Sequence, residues 1–235
     1  DLSAKVVAPP GGVLRVTTGN GTDDVGLFLS EPGATDWGDC IAAADDSVLR
    51  DERLEYANGG SAPDTLILTV DAVETSLDQC AVPVKVELLT PTAATFADTC
   101  ATANSAGPHF DAAGLYAGTL AGFTLASDET CEEGGELDSA DGYFTVDVPA
   151  YTRLDASMLH FNASLGYLAL YAPGFDCADW ASCAAWDDSY FLSDAATQYV
   201  NPTGATQKIT GVIGSFAYDP APAAVSVELG FTAPS

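Results

Sequence analysis

Short runs of alternating apolar and polar positions recur along the whole chain. "GYFTVDV", "GYLALYA", "LILTVDAV", "VKVELL" and "AVSVELGF" either alternate or carry β-branched and aromatic residues over five to eight positions. Clusters of Gly, Pro, Asn and Asp separate them, which is the chemistry of turns. No segment sustains a helical period over three turns. Short strands at this spacing predict an all-β fold, an antiparallel sandwich whose two sheets hide their inner faces against each other.

The pattern also repeats. "VVAPPGGVLRVTTGNGTDDVGLFLSEPG" from Val6 matches "VDVPAYTRLDASMLHFNASLGYLALYAPG" from Val146, with Pro9 on Pro149, Leu14 on Leu154 and Gly26 on Gly166. "DWGDCIAAADDS" (Asp36 to Ser47) matches "DWASCAAWDDS" (Asp179 to Ser189), and "VKVEL" from Val84 matches "VSVEL" from Val225. A near-constant offset of 140 to 143 residues predicts two related domains in tandem, residues 1–93 and 94–235. The counterpart of Cys100 would fall at 100 − 141 = −41. The first domain is therefore expected to lack the equivalent of residues 100 to 145, including "YAGTLAGFTL" and much of "GYFTVDV". Either those strands were never needed and the domain is smaller but closed, or a longer precursor lost them, or another chain supplies them. An incomplete sandwich presents unpaired strand edges that invite strand addition.

Composition narrows the function. With 235 residues, 47% of them apolar, the chain can build a real core. Acids outnumber basic residues 34 to 7, for a formal net charge of −27. Seven scattered cations cannot form a phosphate-neutralising stripe, which argues against nucleic acid, and anionic membrane surfaces are disfavoured for the same reason. No apolar run approaches the length of a membrane span. The opening "DLSAKVV" reads as the start of a processed mature protein. Six cysteines with no CxxC pair read as disulfides in an oxidising compartment, so the expected location is secreted, extracellular or cell-surface.

At the level of motifs, the second unit resembles a known family. "DTCATANSAGPHF", "YAGTLAGFTLASDETCEEGGELDSADGYFTVDVPAYTRLDASM" and "GYLALYAPGFDCADWASCAAWDDS" are similar to the Cys-bearing variants of the bacterial pre-peptidase C-terminal domain. The resemblance covers roughly residues 97 to 235 and, more weakly, 1 to 93. It implies two jelly-roll-like antiparallel β-sandwiches stapled by disulfides, secreted by a bacterium and non-catalytic. Members usually accompany exported enzymes or surface proteins. The resemblance also implies the pairings Cys100–Cys131 and Cys177–Cys183, which leaves Cys40 with Cys80. Closure of the six-residue step from Cys177 to Cys183 is geometrically easy, although six cysteines allow 15 pairings on sequence alone.

Calcium is the expected cofactor. The ion takes about six to eight oxygen ligands from a loop that can wrap it. The second repeated loop offers Asp176, Asp179, Asp187 and Asp188, and the first offers Asp36, Asp39, Asp45 and Asp46. In both, an Asp–Asp pair follows the cysteine, and like charges that close repel unless a cation or solvent separates them. The upstream loop differs in having Ala44 where Trp186 stands. "DSADG" (Asp138 to Gly142) only hints at a calcium loop. Solvated acidic loops are the plainer explanation of any one of these runs. Catalysis has little to stand on: no GxSxG, HExxH, P-loop or GxGxxG pattern occurs, and His109 and His160 lie in turn-like and strand-like contexts.

Trp37 and Trp180 suit either sugar stacking or packing beside the cysteine, and recurrence of Asp–Trp before Cys favours packing. The acceptor patterns at Asn20 and Asn162 carry no weight in a bacterial protein. The expectation is a secreted, acidic, calcium-binding structural protein that forms a homo-oligomer or polymer, through strand complementation and calcium bridging. The alternative is a non-catalytic module that binds an extracellular glycan or matrix protein.

Overall fold

The computed structural model describes residues 2–19, 25–34, 40–44, 52–72, 82–120, 122–123, 125–126, 139–159, 166–175, 183–188, 195–215 and 225–233. They form two compact units that divide between Thr90 and Pro91.

The first unit holds β1 (Leu2–Ala8), β2 (Val13–Thr18), β3 (Val25–Ser30), β4 (Cys40–Ala44), β5 (Arg53–Ala57), β6 (Asp64–Ala72) and β7 (Val84–Leu89). One sheet runs β1-β6-β3-β4 and the other β5-β2-β7, with every pair antiparallel. Alternation decides the faces. On β2, Leu14, Val16 and Thr18 are buried while Arg15 and Thr17 are half-exposed. Leu14, Val16, Leu54 and Tyr56 from one sheet share a core with Leu27, Leu29, Leu66 and Leu68 from the other.

The second unit adds to the same plan. It holds β8 (Thr92–Ala93), α1 (Cys100–Ala106), β9 (His109–Phe110), β10 (Gly114–Gly118), β11 (Leu125–Ala126), β12 (Ser139–Val148) and β13 (Arg153–Leu159). β14 (Gly166–Tyr171), β15 (Cys183–Asp188), β16 (Ala195–Val200), β17 (Gln207–Ser215) and β18 (Val225–Thr232) follow. The sheets run β16-β13-β18-β10-β8 and β11-β12-β17-β14-β15, with β9 beside β12. The pairings β10–β8 and β12–β9 are parallel, and the rest are antiparallel. Because β8 joins this unit's sheet, residues 92–93 belong with the second unit rather than with 1–93.

The helix is short, and its ends are written in sequence. Thr99 Oγ1 accepts from Thr102 N at its start, and Gly107 N donates to Ala103 O at its end. At Gly107 any Cβ would sit 2.2 Å from Ala103 Cα. Cys100 and Ala103 on α1, with Phe175, pack on Tyr143, Tyr167, Ala169, Tyr171 and Val212. This is why β14 is buried at all six positions instead of alternating.

Strand for strand, β1–β7 reproduce β12–β18, with the same neighbours in both sheets. Even the irregularity recurs, between Leu29 and Ser30 in one unit and Leu170 and Tyr171 in the other. Two polar devices recur as well. Tyr56 Oη donates to Asp64 Oδ2 (2.6 Å), as Tyr199 Oη does to Gln207 Oε1 (2.7 Å). Buried Asn58 donates to Ala8 O and Ala62 O and accepts from Gly60 N. Asn201 donates to Val148 O, Pro149 O and Ala205 O and accepts from Thr203 N.

This correspondence corrects two expectations. "GYFTVDV" does have a counterpart, β1, which pairs with β6 as β12 pairs with β17. Among the described residues the first unit shows no equivalent of β8 to β11 or α1, whereas β1 is the equivalent of β12. Register also moves the Trp186 comparison by one residue. Ala43 lies opposite Phe28 as Trp186 lies opposite Ala169, so Ala43 rather than Ala44 corresponds to Trp186, and Ala44 to Asp187.

Candidate functional site

The absent strands leave a mark on the first unit. In the second unit β18 lies between β13 and β10, with Tyr116 of β10 opposite Val227. Val225, Val227 and Leu229 are then buried. Among the described residues their counterpart strand β7 has one neighbour, β2. Register sets Val84, Val86 and Leu88 opposite Thr18, Val16 and Leu14, on the face that builds the core. Yet Val84 is 37% exposed and Val86 45%, against 0% for Val227 and 2% for Leu229, which hold the same register positions opposite Met158 and Ala156.

The other edge strand repeats this. On β1, Leu2 is 72% exposed and Ala4 is also exposed. At the position of Ala4 the second unit has buried Phe144. Phe144 stacks with Phe110 at 5.0 Å, Phe110 stacks with Tyr116 at 4.1 Å, and Phe96 closes edge-on at 6.0 Å from Phe110. Among the described residues the first unit shows no such aromatic stack, and the core face of β7 stays exposed where that of β18 is covered. Fully burying a Val or Leu side chain is worth roughly 1.5–3 kcal/mol, so a strand added along β7 would gain several kcal/mol against its ordering cost.

The outer face of the same sheet is charged. Glu55, Arg15 and Glu87 form one row across β5, β2 and β7. Arg15 pairs with Glu55, Arg53 Nη2 lies 2.7 Å from Glu55 Oε1, and Lys85 Nζ lies 2.8 Å from Glu87 Oε1. Five of the chain's seven basic residues (Lys5, Arg15, Arg50, Arg53 and Lys85) fall in residues 1–90. The cations are concentrated where the edges are open.

Of the acids singled out in the sequence, Asp36, Asp39, Asp45, Asp46, Asp176 and Asp179 lie outside the described residues. Asp187 and Asp188 end β15. Asp187 Oδ2 accepts from Ala196 N at 2.8 Å, tying β15 to β16. Asp188 stands opposite Tyr167. Among the described residues no three His, Cys, Asp or Glu side chains gather as ion ligands. Within "DSADG", Ser139 to Gly142 begin β12 instead of forming a loop, and buried Asp141 takes hydrogen bonds from Tyr167 Oη (2.6 Å) and Tyr143 Oη (3.4 Å).

Cys80, Cys131 and Cys177 lie outside the described residues, so each expected disulfide has one end there. Cys40 opens β4, Cys100 is buried at the start of α1, and Cys183 opens β15. Trp37, Trp180, His160, Asn20 and Asn162 are also outside. His109 Nδ1 lies 3.0 Å from Thr145 Oγ1 and its Nε2 3.4 Å from Asp147 Oδ2, an arrangement that fixes the ring beside β12. Two features escaped the sequence reading. Trp186, noted only as a difference between the loops, is the tryptophan exposed at 41% on β15. The open face of β7 was invisible because "VKVELL" and "VSVELG" alternate alike; only their neighbours differ.

No helix among the described residues is long and apolar enough to cross a membrane. No protein-family model matches the chain, and no curated protein does. Among solved structures, the pre-peptidase C-terminal domain of collagenase from Bacillus anthracis is similar over 53% of this chain and 93% of its own, at 14% identity and a TM-score of 0.30. The tandem CBM22-1–CBM22-2 N-terminal region of Xyn10C from Paenibacillus barcinonensis is similar over 97% of this chain and 80% of its own, at 12% identity and a TM-score of 0.27. What defines this chain is its own architecture, two β-sandwich units that share one strand order.

Proposed function

We propose that the chain is an extracellular, non-catalytic structural protein that assembles through its first unit, where a strand from another chain takes the place that β10 holds in the second. The exposure of Val84 and Val86, on a face whose counterparts Val227 and Leu229 are buried, carries this reading. Sedimentation velocity between about 1 and 500 µM, with hydrogen exchange read on residues 84–89, tests it. Association should slow exchange along β7. A chain that stays monomeric throughout, with β7 amides exchanging freely, ends the reading.

Disulfides and calcium belong to the same proposal. Cys100 would pair with Cys131 and Cys183 with Cys177, each partner lying outside the described residues. Assembly of chains at −27 needs counter-charge, and calcium bridging carboxylates would supply it. Since Asp187 already holds Ala196 N, the ligands would come from Asp36, Asp39, Asp45, Asp46, Asp176, Asp179 and Asp188. Calorimetric titration with calcium chloride, and sedimentation with and without chelator, tests this; no heat and no shift in size removes calcium from the proposal.

A second reading rests on Trp186, whose exposed ring on β15 offers a stacking face for an extracellular glycan. Loss of polysaccharide binding on Trp186→Ala, with assembly unchanged, would establish it.

A further inference from the structure

The partner that completes the first unit can be specified further, on the basis of the assembly reading above. We infer that β7 pairs antiparallel with β7 of a second copy of this chain, Val86 facing Val86, so that two first units share one continuous sheet about a two-fold axis.

The pattern of β7 is self-complementary. With Val86 opposite itself, Val84 faces Leu88 of the other copy and Lys85 faces Glu87, and each pair occurs twice. The apolar pairs fall on the core face and the charged pairs on the outer face, continuing both faces of β2. Rows on the outer face then alternate in sign across the seam: Glu55, Arg15 and Glu87 of one copy, then Lys85 of the other.

Other registers fail on physical grounds. Sliding the pairing by two positions one way sets Glu87 against Glu87; the other way it sets Lys85 against Lys85. Like charges directly opposite are destabilising. Sliding by one sets valines opposite charged residues and turns apolar side chains to the outer face. Pro83 and Pro91 flank the segment and lack the N–H groups that would lengthen the ladder. A lone edge lysine ordinarily deters pairing, but Glu87 two residues away makes Lys85 a matching group. A two-fold seam is isologous and closes on itself, giving a dimer before any larger assembly.

Cysteine cross-linking of the full chain tests the register. Val86→Cys should form an intermolecular disulfide with itself under mild oxidation, located by peptide mass spectrometry. Val84→Cys should not, because the two copies of residue 84 would sit four positions apart, roughly 13 Å, beyond disulfide reach. A mixture of Val84→Cys and Leu88→Cys chains should link. Lys85→Glu, at an exposed side chain, should weaken the dimer at least tenfold, while Lys85→Arg retains it, with unchanged thermal melts for both. If chains associate but Val86→Cys does not link to itself and Lys85→Glu has no effect, this pairing is overturned and the broader assembly reading survives. A chain monomeric at every concentration overturns both.

Discussion

The phenol of Tyr167 donates to Asp141 Oδ1 across 2.6 Å, with both residues buried and Gly214 lying between them in the sheet. The glycine is what allows it: a Cβ there would stand 2.4 Å from Tyr167 Cε1 and 2.5 Å from Asp141 Oδ1. Tyr167→Phe leaves a buried carboxylate short of a strong donor and should cost about 1–3 kcal/mol. Gly214→Ala forces the two side chains apart and should cost at least as much. Urea unfolding followed by hydrogen exchange in each unit checks both. The loss must fall on the second unit alone, and a variant as stable as the native chain would show the contact to be idle.

Asn58 and Asn201 should be the most sensitive polar positions of their respective units. Each is almost fully buried and serves backbone groups from two separate segments. Replacement by Ala leaves buried carbonyls without donors, at about 2–4 kcal/mol in each case. Asn58→Ala should lower only the first unit's urea midpoint and Asn201→Ala only the second's. Equal losses in both units from either variant would contradict the assignment.

Much of the fold is legible in the chain because alternation is a local property. The strands around Leu14, Val16, Leu168 and Leu170 announce themselves by period and by their turn residues. The repeat could be read because both copies keep the same core positions. What resisted reading depends on neighbours. Nothing in "GYLALY" says that a helix from "CATANSA" will cover its outer face. Nothing in "VKVELL" says that its core-facing valines lack a cover. The one-residue slip at Trp186 came from aligning identical Asp pairs, whereas the strand register follows the bulge just after Cys40 and Cys183. Candidate ion ligands were read from charge alone, and Asp187 and Asp141 proved to be bonded to Ala196 N and Tyr167 Oη.

Phe144 and Gly211 make a third test, of the closed end of the second unit. A Cβ at Gly211 would lie 2.1 Å from Phe144 Cζ, so the ring rests directly on the glycine backbone. Gly211→Ala should displace Phe144 from its stack with Phe110 and cost about 1–3 kcal/mol, as overpacking does. Phe144→Leu in the same chain should recover part of that loss. Calorimetry of the two variants decides: if the double variant is no more stable than Gly211→Ala, the ring is not what the new methyl group meets.

Alkaline stability should depend on Tyr56. Burial first, and then its hydrogen bond to Asp64, raise the pKa of this phenol well above its ordinary value near 10; burial raises that of Tyr199 as well. Below pH about 10 the phenol is protonated in folded and unfolded chains alike, so its contribution is fully present and flat. As pH rises beyond that, the unfolded chain releases the proton while the folded one keeps it. Stability is then lost by at most about 1.4 kcal/mol per pH unit for this group. Tyr56→Phe gives up the bond to Asp64, about 1 kcal/mol at neutral pH, but cannot ionise. Its first unit should therefore lose stability less steeply than the native one between pH about 10 and 11.5. Urea midpoints across that range measure the slopes, and parallel slopes for the two proteins would rule Tyr56 out as the titrating group.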